Sequence, residues 1–438
     1  MDYSRIDINE VNSRLDYFCI DLKCFYASVE CVERGLDPFK TALVVADEAR
    51  GRGAICLAIS PRMKEFGVKN RCRLFEIPKN IDYIIAKPRM KKYIEYSSMI
   101  YSIYLSFFSP DDIHVYSIDE AFIYTKPYRK LYNKTTYELA HEVMNKVYKT
   151  TGIFATAGLG TNLYLAKVAM DIMAKKTKDG ISFLTEELYK KELWHHTPLT
   201  DFWNVGGGIS RRLNRLGLFT MEDVAKCDEK VLYKEFGVNA EYLIDHSKGI
   251  EPITIKEIKE YVPKSQSISQ GQTLDRDYNY EEGLLAFKES VELAILELVS
   301  KHVVTNVIGF SIGYSSKTVR FDDYRNQEGV SASKKIDVMT NSYEIISNEL
   351  LNMFYEHVDR TRMIRRIHIG FGNIKNEKYE SYTLFSDIDK LQKEKALQET
   401  IVGLKDKYGK SSILRGMNLD PSATTLKRNK LIGGHNGE

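Results

Sequence analysis

Long apolar runs are what this chain most plainly lacks. No stretch approaches the ~20 consecutive apolar residues that a membrane span needs, so no membrane helix is expected. The first residues carry three acids by Glu10 and no apolar core, and no secretory leader is read from them. Cysteine is scarce: Cys19, Cys24, Cys31, Cys56, Cys72 and Cys227 form no CxxC pair and no Cys/His ligand spacing. That disfavours a zinc site or a disulfide framework and fits free thiols in a reducing cytoplasm. An excess of one charge is missing too, since a net charge of +3 singles out no partner.

What is present is length and pattern. With 438 residues the chain exceeds one ordinary domain, and about two to four are expected. Its 43% hydrophobic and 28% charged residues describe a globular protein able to bury sizeable cores. Basic residues crowd locally: from Arg50 to Lys92 there are twelve Lys or Arg against only Glu65, Glu76 and Asp82. Such a patch suits either a phosphate backbone or plain solvent.

Tyr17–Asp21 is a short apolar run closed by an acid and reads as a strand, and Phe25–Arg34 has helical spacing that stops at Gly35. Thr41–Ala46 and Ala54–Ala58 look like buried strands. Ser60–Pro61 opens a helix, with Ser as N-cap and Pro at the first helical position, and Gly67 marks its end. Met90–Phe107 reads as a long helix and His114–Tyr124 as a strand pair. Thr135-x-x-Glu138 is a capping box opening a helix to about Thr150. Phe154–Gly160 is strand-like and Leu163–Ala174 helical. This alternation fits a sheet covered by helices.

Beyond Gly180 short helices with glycine punctuation follow. Val205–Ile209 contains three consecutive glycines and leads into Ser210–Leu216, then past Gly217 to a helix from Thr220. The arrangement is similar to a helix-hairpin-helix, whose turn brings backbone N–H groups close to a phosphate. Residues 250–266 are polar, with Pro252 and Pro263, and are expected to form a tether. Tyr280–His302 reads as a long helix flanked by strand-like Thr305–Tyr314 and Arg366–Phe371. From about Asn373 the chain is polar, with one helix at Asp389–Lys407 and a loose basic end.

The chemistry concentrates in Val115–Phe122. Asp119 and Glu120 are adjacent acids in an apolar strand, and buried carboxylates need a compensating charge. Asp21 closes a second apolar strand. Side chains alternate along a strand, so two neighbouring acids reach one site only near a strand end or bend. Three carboxylates on the ends of neighbouring strands make a hard oxygen site suited to Mg²⁺. Two such ions can activate a hydroxyl and steady a leaving phosphate. Taken singly, the same acids also fit ordinary strand-to-turn junctions.

The run Asp21–Leu22–Lys23–Cys24–Phe25–Tyr26–Ala27–Ser28–Val29–Glu30, followed by Ser117–Ile118–Asp119–Glu120–Ala121, resembles the Y-family DNA polymerases. Ala157–Gly158–Leu159–Gly160, Leu165–Ala166–Lys167–Val168–Ala169 and Ala174–Lys175 before Gly180–Ile181 continue the likeness, which spans about residues 17–372. The resemblance implies an α+β multidomain, right-hand polymerase. Its parts are a ferredoxin-like palm (1–24 and 91–175), small fingers (25–90) and a helical thumb with the helix-hairpin-helix (176–250). A linker (251–264), a βαββαβ little finger (265–373) and a C-terminal tail (374–438) complete it.

The resemblance also implies roles. Asp21, Asp119 and Glu120 would be the catalytic acids and the ligands of two Mg²⁺ ions, with the backbone carbonyl of Leu22 as a further ligand. Tyr26 falls at the steric gate with Phe25 beside it; an aromatic face beneath the incoming sugar leaves no room for a 2′-hydroxyl. Lys64 and Lys167 would hold the dNTP triphosphate, offsetting charge on its oxygens. DNA contacts are expected at Gly206, Gly208, Ser210 and Arg211 in the thumb. Arg365 and Arg366, which begin a strand in the little finger beside Arg360 and Arg362, would track the backbone.

Some residues depart from the family pattern. Lys23 stands where the family has Asp or Asn, removing an oxygen near the metals, and Pro61 where many relatives place a Tyr. A Lys at this position looks like the bacterial UmuC-like and UvrX-like subgroup, as do Ser411–Ser412–Ile413–Leu414–Arg415 and the ending Ile432–Gly433–Gly434–His435–Asn436. Ser381–Tyr382–Thr383–Leu384–Phe385 resembles the short sliding-clamp-binding peptide of bacterial polymerases, with Tyr382, Leu384 and Phe385 as anchors.

The expected partners are therefore primer–template DNA, dNTPs, the sliding clamp and SOS accessory proteins. No block of acidic motifs for a proofreading exonuclease is seen, which suits an error-prone, cytoplasmic bypass enzyme. Two rivals share part of the pattern. A palm-type nucleotidyl cyclase shares the acids but has no use for a helix-hairpin-helix. A catalytically idle DNA-binding repair accessory has no need of clustered carboxylates.

Overall fold

The computed structural model describes residues 11–315 and 328–437. The first ten residues, where a leader would begin, lie outside that range. The chain divides into two compact units, the first reaching Tyr261 and the second spanning Val262–Gly437.

In chain order the first unit carries β1 (Tyr17–Leu22), α1 (Phe25–Val32), β2 (Leu43–Val45), β3 (Ala58–Ile59), α2 (Pro61–Glu65), β4 (Ile84–Ala86) and α3 (Met90–Leu105). Then come β5 (Ile113–Val115), β6 (Glu120–Tyr124), α4 (Thr136–Thr151), β7 (Ala155–Gly160), α5 (Leu163–Val168) and β8 (Ile181–Leu184). Helices α6 (Gly207–Arg215) and α7 (Met221–Lys226) follow, with Glu229–Phe236, Ala240–Lys248 and Ile255–Glu260 after them. Five strands form one sheet in the order β5-β6-β1-β7-β8. β1 takes the centre because Tyr17–Leu22 is apolar at every position except Asp21 and is buried on both faces. It pairs antiparallel with β6 and β7.

One face of β1 is covered by α5: Tyr17 and Cys19 share a buried cluster with Phe122, Leu163, Ala166 and Met170. Asp21 is next in that alternation and lies on the same face. The helix comes close because β7 contributes glycines there. A Cβ on Gly158 would stand 2.1 Å from the Met170 nitrogen, and one on Gly160 would stand 2.3 Å from the Ala166 nitrogen. The expected capping box opens α4, with Thr135 accepting from the Glu138 N–H and Glu138 accepting from Thr135. Ser60 caps α2, with Pro61 at its start. A small sheet in the order β3-β2-β4 has its own core of Val44, Ile59, Met63, Cys56 and Cys72. All six cysteines are free.

The second unit runs β9 (Ile268–Tyr278), α8 (Tyr280–Ser300), β10 (Val303–Tyr314), β11 (Gly329–Thr340), α9 (Tyr343–His357) and β12 (Ile364–Gly372). This βαββαβ succession closes an antiparallel sheet in the order β11-β10-β12-β9. Its core joins Phe287, Ile295 and Leu298 of α8 to Phe354 of α9 and to Ile308, Phe310, Ile367 and Ile369 of the sheet.

Two sequence expectations need correction. Part of the polar stretch 251–264 is folded: Ile255–Glu260 is a helix opened by a Thr254/Glu257 capping box. Ile255 is buried in the cluster of Tyr17 and Phe122, so the tether is shorter than its prolines suggest. Nor is the basic end loose. After α10 (Ile388–Tyr408) the chain returns to α8, where the fully buried Glu289 accepts four hydrogen bonds from it. The donors are Asn418 Nδ2 at 2.9 Å, Thr425 N at 3.2 Å, Thr424 N at 2.6 Å and Thr424 Oγ1 at 2.9 Å. This docking relies on polar contacts, which leave no hydrophobic periodicity to read. Among the described residues no helix is long and apolar enough to cross a membrane.

Candidate active site

The three acids meet at one end of the central sheet. Asp21 on β1 lies directly opposite Glu120 on β6. Paired residues on adjacent strands share a face, so both carboxylates lie on the side covered by α5. Asp119 escapes the strand alternation because the β5–β6 connection bends just before it. Tyr116 N and Ser117 N both donate to the Glu120 carbonyl, at 3.0 and 3.1 Å. Ser117 Oγ donates to Asp119 Oδ1 at 2.7 Å and accepts from Glu120 N at 3.1 Å. Leu22 N donates to the Asp119 carbonyl at 3.0 Å, fixing that residue beside the end of β1.

Two lysines offset part of the negative charge. Lys167, on α5, is 2.8 Å from Glu120 and 2.9 Å from Asp171. Lys175 is 3.1 Å from Asp171 and 3.6 Å from Asp21. Burial alone would lower the Lys167 ammonium; Cys19, Asp171 and Glu120 outweigh it and hold the group above its usual value. Asp21 goes the other way. Burial, with Glu120 and Asp119 adding to it and Lys175 opposing, pushes its carboxyl up to about 7.

Tyr26 lies in the first turn of the neighbouring α1. The chain turns into that helix through Cys24, whose φ of 53° is rare for a non-glycine residue, and Ser28 Oγ secures the turn on the Lys23 carbonyl at 2.6 Å. The Tyr26 ring stacks on Tyr93 of α3, with centroids 4.3 Å apart and planes 14° apart, while Phe25 is buried beside it. Burial, and secondarily Asp119, raises the Tyr26 hydroxyl. Tyr93 donates to the buried Glu30 at 2.8 Å. Arg89 grips the same carboxylate with Nε at 3.0 Å and a second nitrogen at 2.9 Å, and Arg34 also pairs with it.

The other sequence candidates lie elsewhere. Lys64 projects exposed from α2 and makes no ion pair with the acids. Gly206 caps α6 and is exposed, as is Arg211; Gly208 and Ser210 are half-buried in its first turns. The helix begins at Gly207 rather than Ser210, and the element immediately before the glycines is a 3₁₀ turn, Leu199–Asp201, which follows the helix Glu186–Leu193. Arg365 is 3.6 Å from Asp277, and Arg366 lies across from Gly313 in the sheet. Tyr382 is largely exposed, and Leu384 and Phe385 are fully so.

Asp171, Tyr93 and Arg89 are not singled out by the sequence, and Glu30 and Lys175 appear there only as members of family motifs, with no role attached. Lys167, Asp171 and Lys175 do follow one another at four-residue steps, a helical ion-pair pattern that could have drawn attention. Tyr93 and Arg89 reach Glu30 only through tertiary folding, some 60 residues away.

Among the described residues, no three His, Cys, Asp or Glu side chains are already gathered around one point to hold a metal ion. The donor set nevertheless fits a hard divalent cation: it is all carboxylate oxygen, with Asp21 and Glu120 paired across the strand ends and Asp119 beside them.

Residues 20–171 match the impB/mucB/samB family model, and residues 265–384 match the model of that family's C-terminal domain. A Bacillus subtilis (strain 168) protein named for UV-damage repair, UvrX, is 33% identical, with 99% of each chain covered. DNA polymerase IV 2 of the same organism is 29% identical over 95% of this chain and 98% of its own. Among solved structures, a Y-family DNA polymerase chimera of Dbh and Dpo4 matches with a TM-score of 0.62 at 21% identity, covering 82% of this chain and 99% of that one. With both family models matched in order along it and a relative one-third identical over its whole length, the chain belongs to the impB/mucB/samB family, the Y-family of translesion DNA polymerases.

Proposed function

We propose that the protein is a template-directed DNA polymerase for translesion synthesis in DNA repair, adding dNTPs to a primer 3′-hydroxyl at the Asp21–Asp119–Glu120 strand ends. The observation that carries this reading is the Asp21–Glu120 cross-strand pair, with Asp119 pinned beside it and two lysines supplying positive charge. The three carboxylates, with the Leu22 carbonyl, are the groups to hold two divalent cations, Mg²⁺ by preference. Such ions favour ionisation of the attacking hydroxyl and offset charge on the leaving pyrophosphate.

The chain's own side chains do the rest. Lys167 neutralises Glu120 until substrate arrives and then offers its ammonium to the triphosphate. Lys64 approaches the same phosphates from the fingers. Tyr26, braced by Tyr93, closes the space beneath the sugar. Gly206, Gly208, Ser210 and Arg211 contact one stretch of DNA backbone, and Arg365 and Arg366 another. Tyr382, Leu384 and Phe385 engage the sliding clamp, and SOS accessory proteins are further partners of a cytoplasmic enzyme.

The test is primer extension with Mg²⁺, comparing wild type with Asp119→Ala/Glu120→Ala. Loss of at least ~10³-fold in rate is expected when two acids that would hold the charge-offsetting cations are removed. Persisting activity in the variant would sink this site assignment. An inert wild type that still binds primer–template would favour a catalytically idle accessory.

A further inference from the structure

Asp171 belongs to none of the roles above, yet it touches both lysines of the site. Its Oδ2 is 2.9 Å from Lys167 Nζ and its Oδ1 is 3.1 Å from Lys175 Nζ. Each lysine reaches a different acid beyond it, Lys167 to Glu120 at 2.8 Å and Lys175 to Asp21 at 3.6 Å. The five groups form one alternation of charge: Glu120, Lys167, Asp171, Lys175, Asp21.

The backbone favours this arrangement. In a regular helix a residue eight positions on has turned ~80° past the first, at 100° per residue. Residues Ala169–Met173 instead form a π-helical turn, which takes up part of that advance. Residues 167, 171 and 175 thereby stay directed at the end of β1. Such turns sacrifice regular hydrogen bonding and concentrate at functional sites. Lys167 is almost wholly buried, where a poorly paired ammonium is expensive.

We propose that Asp171 is a positioning residue for nucleotide addition. It holds Lys167 and Lys175 at the strand ends as counter-ions to Glu120 and Asp21. When those carboxylates turn to a divalent cation, it retains both ammonium groups there, facing the incoming triphosphate. Without it the lysines depend on the acids alone, so a cation must displace them outright and the phosphates meet a less ordered pair. The inference rests on the polymerase reading for its substrate, but the competition between lysine and cation does not.

Full-length wild type, Asp171→Asn, Asp171→Glu, Lys175→Met and the Asp171→Asn/Lys175→Met double variant are compared in two assays. One is single-nucleotide primer extension. The other is thermal melting in EDTA and under Mn²⁺ titration, without DNA or nucleotide. Losing a charged hydrogen bond predicts a KM for dNTP about tenfold higher in Asp171→Asn, with kcat within about threefold of wild type. The Mn²⁺ midpoint should rise several-fold, while melting in EDTA falls by only a few degrees, because Glu120 still pairs with the buried Lys167. Asp171→Glu should recover most of the KM, and the double variant should lose less than the sum of its singles. Unchanged KM and Mn²⁺ midpoint would overturn the proposal. So would a loss confined to melting in EDTA, or strictly additive effects. Should wild type fail to extend primers at all, the polymerase reading falls instead, and the Mn²⁺ midpoints decide the role of Asp171.

Discussion

At the scale of single residues, the position of Tyr26, the proposed sugar gate, depends on the residues packed behind it. Tyr26 rests flat on Tyr93, and Tyr93 is held by a carboxylate that is itself held by two arginines. Tyr26→Ala opens the space beneath the ribose, and relieving one steric clash of ~3 kcal/mol predicts about a hundredfold loss of dNTP-over-rNTP discrimination. Paired kcat/KM measurements on dNTP and rNTP would show it, and an unchanged ratio would move the gate elsewhere. Glu30→Gln removes the charge beneath this stack. Breaking a buried ion pair on one side costs about 3 kcal/mol, to be read from urea unfolding. Burial by itself would raise the Glu30 carboxyl, but hydrogen bonds from Arg89, Arg34 and Tyr93 outweigh it and hold the group below the usual glutamate range. A depressed folded value means the stabilisation is present above the unfolded pKa of ~4.3 and is lost as pH falls through the folded one. The difference in unfolding free energy between wild type and Glu30→Gln should therefore shrink below about pH 4 and stay constant above it.

At the scale of elements, what the sequence disclosed depended on which force docks each piece. β1, α4 and α8 are legible because apolar periodicity and capping boxes are local, and their boundaries fall within a few residues of expectation; the βαββαβ order follows only from the family resemblance, since β9, β11 and α9 stand out by no local pattern. The acids are legible for a similar reason, since adjacent carboxylates in an apolar strand stand out against their neighbours. Asp171 and Lys175 are less so, because their importance comes from a helix laid against β7 at glycine distance. The C-terminal segment is least legible, because it docks through polar groups on one buried carboxylate. Glu289→Gln tests that docking. Its Oε2 accepts from Thr424 N and Oγ1, and its Oε1 from Asn418 and Thr425, so an amide nitrogen at either position faces donors. A buried donor left facing a donor costs about 2 kcal/mol. Trypsin should then cut faster at Arg415 and Lys427, with α8 still helical by circular dichroism. Equal cleavage of both proteins would mean that Glu289 does not key the tail.

At the scale of the whole molecule, the question is how a polymerase with a nearly balanced net charge stays on its template. A net charge of +3 gives weak general attraction to DNA, and the basic run from Arg50 to Lys92 is local. A tether to a DNA-encircling protein would supply residence time through effective concentration, without tighter DNA contacts. The surface offers a means. Ser381 is fixed to the edge of β11 by reciprocal bonds with Met339, N–H to carbonyl at 2.9 Å and N–H to Oγ at 2.8 Å. A Thr383–Ser386 turn then displays Leu384 and Phe385 at 101% and 97% exposure. Two adjacent large apolar side chains with no cover of their own, on a turn fixed at both ends, lose little entropy on entering a pocket. Leu384→Ala/Phe385→Ala should therefore leave the melting temperature and the unassisted extension of short primers unchanged. It should abolish co-elution with the sliding clamp on gel filtration, and with it any stimulation of extension by a loaded clamp. If the variant still co-elutes, the turn is not the tether, and Tyr382 or a separate surface must carry the contact.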